Sequence, residues 1–500
     1  MNNSIYESII LSKSNIQIPL FKSGRSVDSR YFPEKEAEKI IAELSNSYKI
    51  FLVFGIGSGI LIKKLNEKFP NAKILAMEKK ECDLDFLSQL KIFQELKQSS
   101  NCLFFSSEKL IQVLLNSYIP SVHGDLRIIE QRAWIQENKE DILQIKNDLS
   151  LALKKISADF SVQSHFGKIW QHNIFSNLKL FSQNKNDFSN IKIPLDKTAV
   201  IVAAGPSLDK TKNELLNNRN LYFVISTDTS MSSLIKSGII PDAILSIDGQ
   251  LVSSTHFLFK NKDLLKDSIF IFDLCANSSA VKKVYEISKK VLFSVSAHPL
   301  CEYIKSFFPS SFISLQTGSG TVTIAALDFA IKLGFQNIQI YGADFSYTNG
   351  KPYTKGTYLD KEFGKIQNKI NSSEKKFVSL MFRTELKKIS QKKYTTEVLE
   401  SYKLSMEDYL INEKATFNLK NDVYFVKNTN SPKIKIENIE NNVNFDFFMN
   451  DLLEKKNFLE NEQLIFLPYI AWLRKNTNIN DFEKLQKLAL SSIVRYNNKV

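Results

Sequence analysis

Residues 198–250 constrain the fold more tightly than any other part of the chain. Residues 198–204 are an apolar run rich in β-branched side chains. The run stops at Gly205-Pro206-Ser207, and an amphipathic segment with Leu208, Thr211, Leu215 and Leu216 follows. That order reads as strand, tight turn and helix, the first half of a βαβ unit. A second strand, 221–226, runs into Thr227-Asp228-Thr229, and a third, 243–247, into Asp248-Gly249. Small or acidic residues thus close three successive strands, at the edge where an open parallel sheet gathers its ligands. Gly205 allows close backbone approach, Pro206 removes a donor and stiffens the turn, and the helix start offers free N–H groups to an anion.

A second turn of this kind lies at residues 316–321, Gln-Thr-Gly-Ser-Gly-Thr. It opens a helix with Val322, Ile324, Ala325, Leu327, Ala330 and Ile331. A strand over 337–341 follows and ends at Gly342-Ala343-Asp344-Phe345-Ser346-Tyr347. Either turn alone is as well explained by chain reversal. Together in one α/β unit they favour a nucleotide-type ligand held at both ends.

Gly205-Pro206-Ser207-Leu208, the Asp228 strand end, Pro241-Asp242 with Ser246-Ile247-Asp248, and Thr317-Gly318-Ser319-Gly320 through Gly342-Ala343-Asp344-Phe345 resemble the motility accessory factor (Maf) family of bacterial flagellin glycosyltransferases. The same core is similar, more distantly, to bacterial sialyltransferases that use a CMP-activated acidic sugar, and to a 6-hydroxymethylpterin pyrophosphokinase domain. The resemblance implies transfer of a nonulosonic acid, of pseudaminic or legionaminic type, from its CMP donor to Ser or Thr of flagellin, without a metal or other cofactor. It implies that Gly205, Pro206, Ser207 and Asp228 face the nucleotide and that Thr317, Gly318, Ser319 and Gly320 take the donor's carboxylate. Tyr347, Tyr353 and Tyr358 are then candidates to assist the departing phosphate, with Lys351 and Lys355 adding charge. The glycines at 350 and 356 suggest a mobile lid. The sialyltransferases place a histidine base beyond this segment, where the chain has none. Asp248 and Asp344 are therefore the leading bases, with His298 behind them.

The expected fold class is α/β. A central Rossmann-like, sialyltransferase-like parallel-sheet domain (191–360) is flanked by a smaller N-terminal Rossmann-like domain (1–125), a helical connector (126–190) and a mostly helical C-terminal domain (361–500). In the N-terminal part an apolar strand, 48–54, meets Gly55-Ile56-Gly57-Ser58-Gly59, and a second strand closes at Glu78. This is the layout of a dinucleotide or S-adenosylmethionine site, short of a full GxGxxG. A scaffold retained without its cofactor explains it equally. Upstream, residues 26–37 resemble the Maf N-terminal signature, with Asp28 where that family commonly has histidine.

The four cysteines show no paired spacing, so neither a disulfide nor zinc is expected and a reducing cytoplasm fits. No signal sequence or 18-residue apolar run is legible, which predicts no membrane insertion. A formal charge of +13 is spread along the chain without a nucleic-acid-binding module; a solvated surface or attraction of an anionic donor explains it. The basic stretch 361–393 reads as a helix. Two further helical segments, 452–467 and 482–493, suit acceptor docking or dimer packing. Two other functions compete with glycosyl transfer. One is an ATP- and magnesium-dependent pterin pyrophosphokinase, whose metal the strand-end aspartates would hold. The other is a flagellin-binding chaperone without activity.

Overall fold

The computed structural model describes residues 4–186, 188, 191–258, 261–318, 320–358, 381–382, 384–455, 462 and 464–497. The chain forms two compact units, Met1–Gly167 with Leu467–Leu488, and Lys168–Phe466 with Ala489–Val500.

The first unit opens with an antiparallel hairpin of β1 (Tyr6–Leu11) and β2 (Gln17–Phe21). Its sheet is parallel, with β3 (Ile50–Phe54), β4 (Lys73–Glu78), β5 (Cys102–Ser106) and β6 (Arg127–Glu130) in the order β5-β4-β3-β6. Every residue of β3 is buried, which is why it reads as an unbroken apolar run instead of alternating. Residues 127–130 were expected to start the helical connector. Ile128 and Ile129 instead pair with Leu52 and Val53, because two adjacent isoleucines suit a covered sheet edge as well as a helix face. The expected helix begins later and is a single 42-residue element, Ile142–Gln183.

The second unit is built on a nine-stranded sheet. Its strands are β7 (Thr198–Val202), β8 (Tyr222–Thr227), β9 (Ala243–Ser246), β10 (Ile269–Asp273), β11 (Val291–Val295), β12 (Ile313–Ser314) and β13 (Asn337–Tyr341). A small three-stranded sheet holds β14 (Tyr347–Thr348), β15 (Lys387–Ser390) and β16 (Lys393–Thr395). The hairpin β17 (Thr416–Lys420) and β18 (Val423–Lys427) returns to the large sheet. The order is β12-β11-β10-β9-β8-β7-β13-β18-β17, parallel up to β13 and antiparallel beyond it. From β7 the chain steps outward strand by strand to β12, then crosses back to lay β13 on the other side of β7. The switch point, where an α/β sheet opens a crevice at its C-terminal edge, therefore falls between Val202 and Tyr341, which pair in register.

Two expectations for the C-terminal part are corrected. Residues 416–427 carry Phe417, Leu419, Val423, Tyr424 and Val426 at near-alternating positions and add two strands to the sheet. The described end of the basic stretch, residues 387–395, is β15 and β16 and not helix. Its lysines 365, 369, 375 and 376 and Arg383 lie outside the described residues. The helix expected at 482–493 is found as Phe482–Ile493, whereas 452–467 falls between two helices, Phe445–Glu454 and Leu467–Asn476, that overlap it only at its ends.

The long helix holds the strand-end loops of the second unit in place. The Asn173 amide donates to the carbonyls of Gly249 and Cys275 at 3.0 Å each, and the Asn177 amide to those of Leu274 and Ala276 at 2.9 and 2.7 Å. Both asparagines are buried, so each bond satisfies a carbonyl that water would not reach.

Candidate active site

At the switch point the two glycine corners are fastened to each other. The Ala203 and Gly205 N–H groups donate to the carbonyls of Tyr341 and Gly342 at 2.8 and 2.7 Å. A Cβ on Gly205 would stand 2.4 Å from the Gly342 carbonyl oxygen, so only glycine lets the strands close up here. Gly342 itself has φ +67° and Phe345 φ +45°. The sharp exit from β13 that they make aims Asp344 back at the turn. Its Oδ2 accepts from the Ser207 N–H at 2.8 Å and its Oδ1 from the Ser207 hydroxyl. The N-terminus of helix Leu208–Asn217 thus already has an anion, supplied by the chain. Burial pushes the Asp344 carboxyl above its usual range, against the pull of the two Ser207 bonds. Asp344 is placed to clamp the turn, with both oxygens engaged.

Asp228, at the start of helix Asp228–Lys236, is also fully engaged. Its Oδ1 accepts from the Thr229 N–H and hydroxyl at 2.6 and 3.0 Å, and its Oδ2 from the Ser246 hydroxyl at 2.6 Å. Asp248 differs. Its Oδ1 accepts from the Gln250 N–H at 2.9 Å. Burial, and then the nearby Asp228 charge, raise its carboxyl, while the Gln250 bond and His256 pull the other way. His256 is buried, and its Nδ1 has no hydrogen-bond partner among the described residues. Its ring stands edge-on to Tyr358, 4.5 Å between centroids and at 90°. Sequence reading missed His256 because it follows a short polar turn with no motif around it.

Tyr353 links these acids to the rest of the site. Tyr353 is 36% exposed, yet the crowding around its phenol desolvates and raises it, with Tyr358, Tyr347, Asp228 and Tyr402 pushing the same way. Tyr347 and Tyr402 are raised by burial as well. Tyr402 also flanks the serine-glycine loop, since a Cβ on Gly320 would lie 3.5 Å from its hydroxyl oxygen. It sits on helix Glu397–Asn412, far along the chain, with nothing local to mark it. Gln316 and Gly318 of the loop are exposed and Thr317 is half-buried; Ser319 lies outside the described residues. Thr321 caps the following helix, Val322–Leu333, through its hydroxyl to the Thr323 N–H.

The segment expected as a mobile lid is tied down in its described part. The Thr354 N–H donates to Ala204 at 2.8 Å and its hydroxyl to Asp209, while the Lys355 N–H reaches Asp209 at 3.1 Å. The Ser233 hydroxyl donates to the Lys355 carbonyl, and the Ser232 hydroxyl and Lys236 ammonium to that of Gly356 at 2.9 Å each. Tyr353 is therefore carried on a strap fastened to the start of helix Leu208–Asn217 and to the second half of helix Asp228–Lys236. His298 is a cap. Its Nδ1 accepts from the Leu300 N–H at 3.2 Å, its ring meets Trp170 edge-on, and burial lowers its pKa to about 3.

The N-terminal glycine turn is filled from inside the protein. A Cβ on Gly55 would fall 2.6 Å from the Trp134 ring and one on Gly57 2.4 Å from Asp28. Asp28 accepts from the Ser58 N–H at 2.7 Å, where a phosphate would sit. Glu78, the acid expected on a ribose, accepts from the Ile56 N–H, the Tyr6 hydroxyl and the Trp134 indole at 2.7–2.8 Å. Burial raises Asp28 to about 6 and Glu78 to about 7.

A parallel sheet with acids and phenols at the C-terminal ends of its strands, beside a switch point, defines an open α/β domain. Accordingly, residues 170–350 match the family described as 6-hydroxymethylpterin diphosphokinase MptE-like. Three uncharacterized proteins of Treponema pallidum (strain Nichols) are similar in sequence. One is 41% identical over 140 residues, 27% of this chain and 49% of its own length. A second is 34% identical over 149 residues, 30% of this chain and 70% of its own length. A third is 27% identical over 199 residues, 39% of this chain and 33% of its own length. The chain belongs to the same family as the second of these, and spans about half the length of the first and a third of the last. Among solved structures, the Maf glycosyltransferase of Magnetospirillum magneticum AMB-1 aligns over 98% of this chain and 86% of its own, at 12% identity and a TM-score of 0.45. Among the described residues no helix is long and apolar enough to cross a membrane.

Proposed function

We propose that this chain is a glycosyltransferase that moves a nonulosonic acid from a CMP-activated donor to Ser or Thr of flagellin in the cytoplasm, without a metal. The observation that carries the reading is the gathering of Tyr347, Tyr353, Tyr358 and Tyr402 beside Asp228, with Tyr402 also flanking the serine-glycine loop. Phenols kept neutral at physiological pH donate hydrogen bonds to a departing phosphate, which stabilises charge that develops as the glycosidic bond breaks. Asp248 follows the end of β9, the strand next to β8, and His256 closes the short turn Leu251–Thr255 after it. In this reading they take the proton of the acceptor hydroxyl as its oxygen attacks the anomeric carbon and CMP leaves. Asp344 holds the turn and Tyr347 supports Tyr353.

A second reading is favoured by the family matched at residues 170–350. It is diphosphate transfer from ATP to a hydroxymethylpterin, with magnesium on Asp228 and Asp248. Thermal shift separates the two. CMP or CTP without magnesium should raise the melting temperature under the first, and a rise confined to ATP with magnesium moves the assignment to the second. Asp248→Asn should abolish the added mass on co-expressed flagellin while preserving the CMP-induced shift. Flagellin carrying the full added mass in that variant removes Asp248 from the reaction.

A further inference from the structure

Three potential metal ligands outside the proposed reaction converge at the C-terminal ends of β10 and β11. Asp273 ends β10, Cys275 follows it in the turn, and Cys301 lies in the first turn of helix Pro299–Phe307. One ligand atom from each lies within 4.8 Å of the other two, and all three residues are buried. The sulfurs of Cys275 and Cys301 are 3.7 Å apart. Two thiolates on one tetrahedral zinc, each at about 2.3 Å, stand roughly 3.8 Å from each other. The sequence hid this pair, because two cysteines separated by a whole helix, a strand and the start of a second helix have no recognisable metal-site spacing.

The carboxylate is oriented and incomplete. Its Oδ1 accepts from the Cys275 N–H at 2.8 Å. Its Oδ2 is buried and has no hydrogen-bond partner among the described residues, although the hydroxyls of Ser294 and Ser296 stand close enough to favour the ionised form. Among the described residues no lysine or arginine pairs with it. Leaving a buried polar oxygen unpaired is unfavourable, and a dication would satisfy it. Burial raises the carboxyl to about 6 and both thiols above their ordinary range. A soft divalent ion would take the place of those protons and offset two of the three ligand charges.

We propose that Asp273, Cys275 and Cys301 bind a thiophilic divalent cation, zinc by donor set, with a fourth position open to water or to the Ser296 hydroxyl, which lies 3.8 Å from the Cys275 sulfur. The ion would brace the loop that Asn173 and Asn177 hold, and through the Asn277 N–H to the Asp248 carbonyl (3.0 Å) the neighbouring strand end. It stands apart from the sugar-transfer reading and survives if that reading fails.

Cobalt(II) titration of the full chain, reduced and stripped with chelator, tests it. The expected result is a thiolate-to-cobalt charge-transfer band saturating at one equivalent, bleached by zinc, and at least tenfold weaker binding in Asp273→Asn. The band should vanish in Cys275→Ser and in Cys301→Ser. The wild-type titration stands even if a variant fails to fold. No saturable band in the wild type overturns the proposal, as does a band that persists in the double serine variant. A Cys275–Cys301 disulfide in the isolated protein, with no band after its reduction, also overturns it and makes the pair a redox couple instead.

Discussion

The two β–Gly–α turns, residues 55–59 in the first unit and 205–207 in the second, share one device and differ in what it leaves over. In each, an aspartate from elsewhere in the chain accepts the N–H group that a phosphate would take: Asp28 on Ser58 at 2.7 Å, Asp344 on Ser207 at 2.8 Å. A helix start after a glycine turn is thus an anion site whose anion the protein can supply itself. In the first unit the next acid, Glu78, is also turned inward, onto Ile56, Tyr6 and Trp134. In the second, Asp248 spends one oxygen on Gln250 beside a histidine nitrogen with no partner among the described residues. Capacity for chemistry remains on that strand end and not in either turn.

The largest expected effect breaks the first turn. Gly55 has φ +88°, and an added Cβ would overlap the fully buried Trp134 ring at 2.6–2.8 Å. Gly55→Ala should cost more than ~4 kcal/mol of unfolding free energy by urea denaturation, since both strain and overpacking apply. Gly24→Ala is the control. Its φ is also positive, +78°, but the added methyl meets nothing within 4 Å, and about 1 kcal/mol is expected. Equal costs for the two would mean that Trp134 does not fill the turn.

Next comes the second acid of the first unit, the one turned inward. Glu78 is raised from 4.5 to about 7 by burial, with its three hydrogen bonds opposing. Between those values the folded protein holds a proton that the unfolded chain has lost. Its contribution is therefore present below pH 4.5 and is lost as pH rises to about 7. Over that window the stability advantage of wild type over Glu78→Gln should shrink by on the order of 3 kcal/mol. Parallel pH profiles for the two proteins would show that Glu78 is ionised throughout.

This comparison also shows what was legible in the sequence. Strands β3, β4, β7, β8, β9 and β13 could be read from apolar runs ending at Gly, Asp or Glu, because a strand covered on both faces must be apolar throughout, whereas β6 reads as helix. The small-residue turns at 205–207 and 316–321 were legible as turns, whereas the fastening of Gly205 to Gly342 is seen only in the fold. The plugs were not legible. Asp28 lies 30 residues before the Ser58 N–H that it accepts from. Gln131, which donates to the Gly55 carbonyl just ahead of the Trp134 plug, lies 76 residues beyond it. No local spacing records such contacts. His256 and Tyr402 escaped for the same reason, and so did the Cys275–Cys301 contact. Residues 416–427 were lost because their alternation is broken at Asn421-Asp422, a turn with two positive φ angles that only the folded hairpin explains.

The smallest effect belongs to the second turn's clamp. Asp344→Asn retains an oxygen for the Ser207 N–H and removes only the charge, so a loss of about 1 kcal/mol is expected at neutral pH. Burial raises this carboxyl, so the wild-type advantage should be greatest at acid pH, where the folded acid is protonated, and should fall as pH rises through the raised value. The variant should keep its CMP-induced thermal shift, because the carboxylate faces Ser207 and removing a negative charge beside an anion favours binding. Loss of that shift with the fold intact would mean that Asp344 faces the nucleotide, and would turn the second turn from a closed corner into a working part of the site.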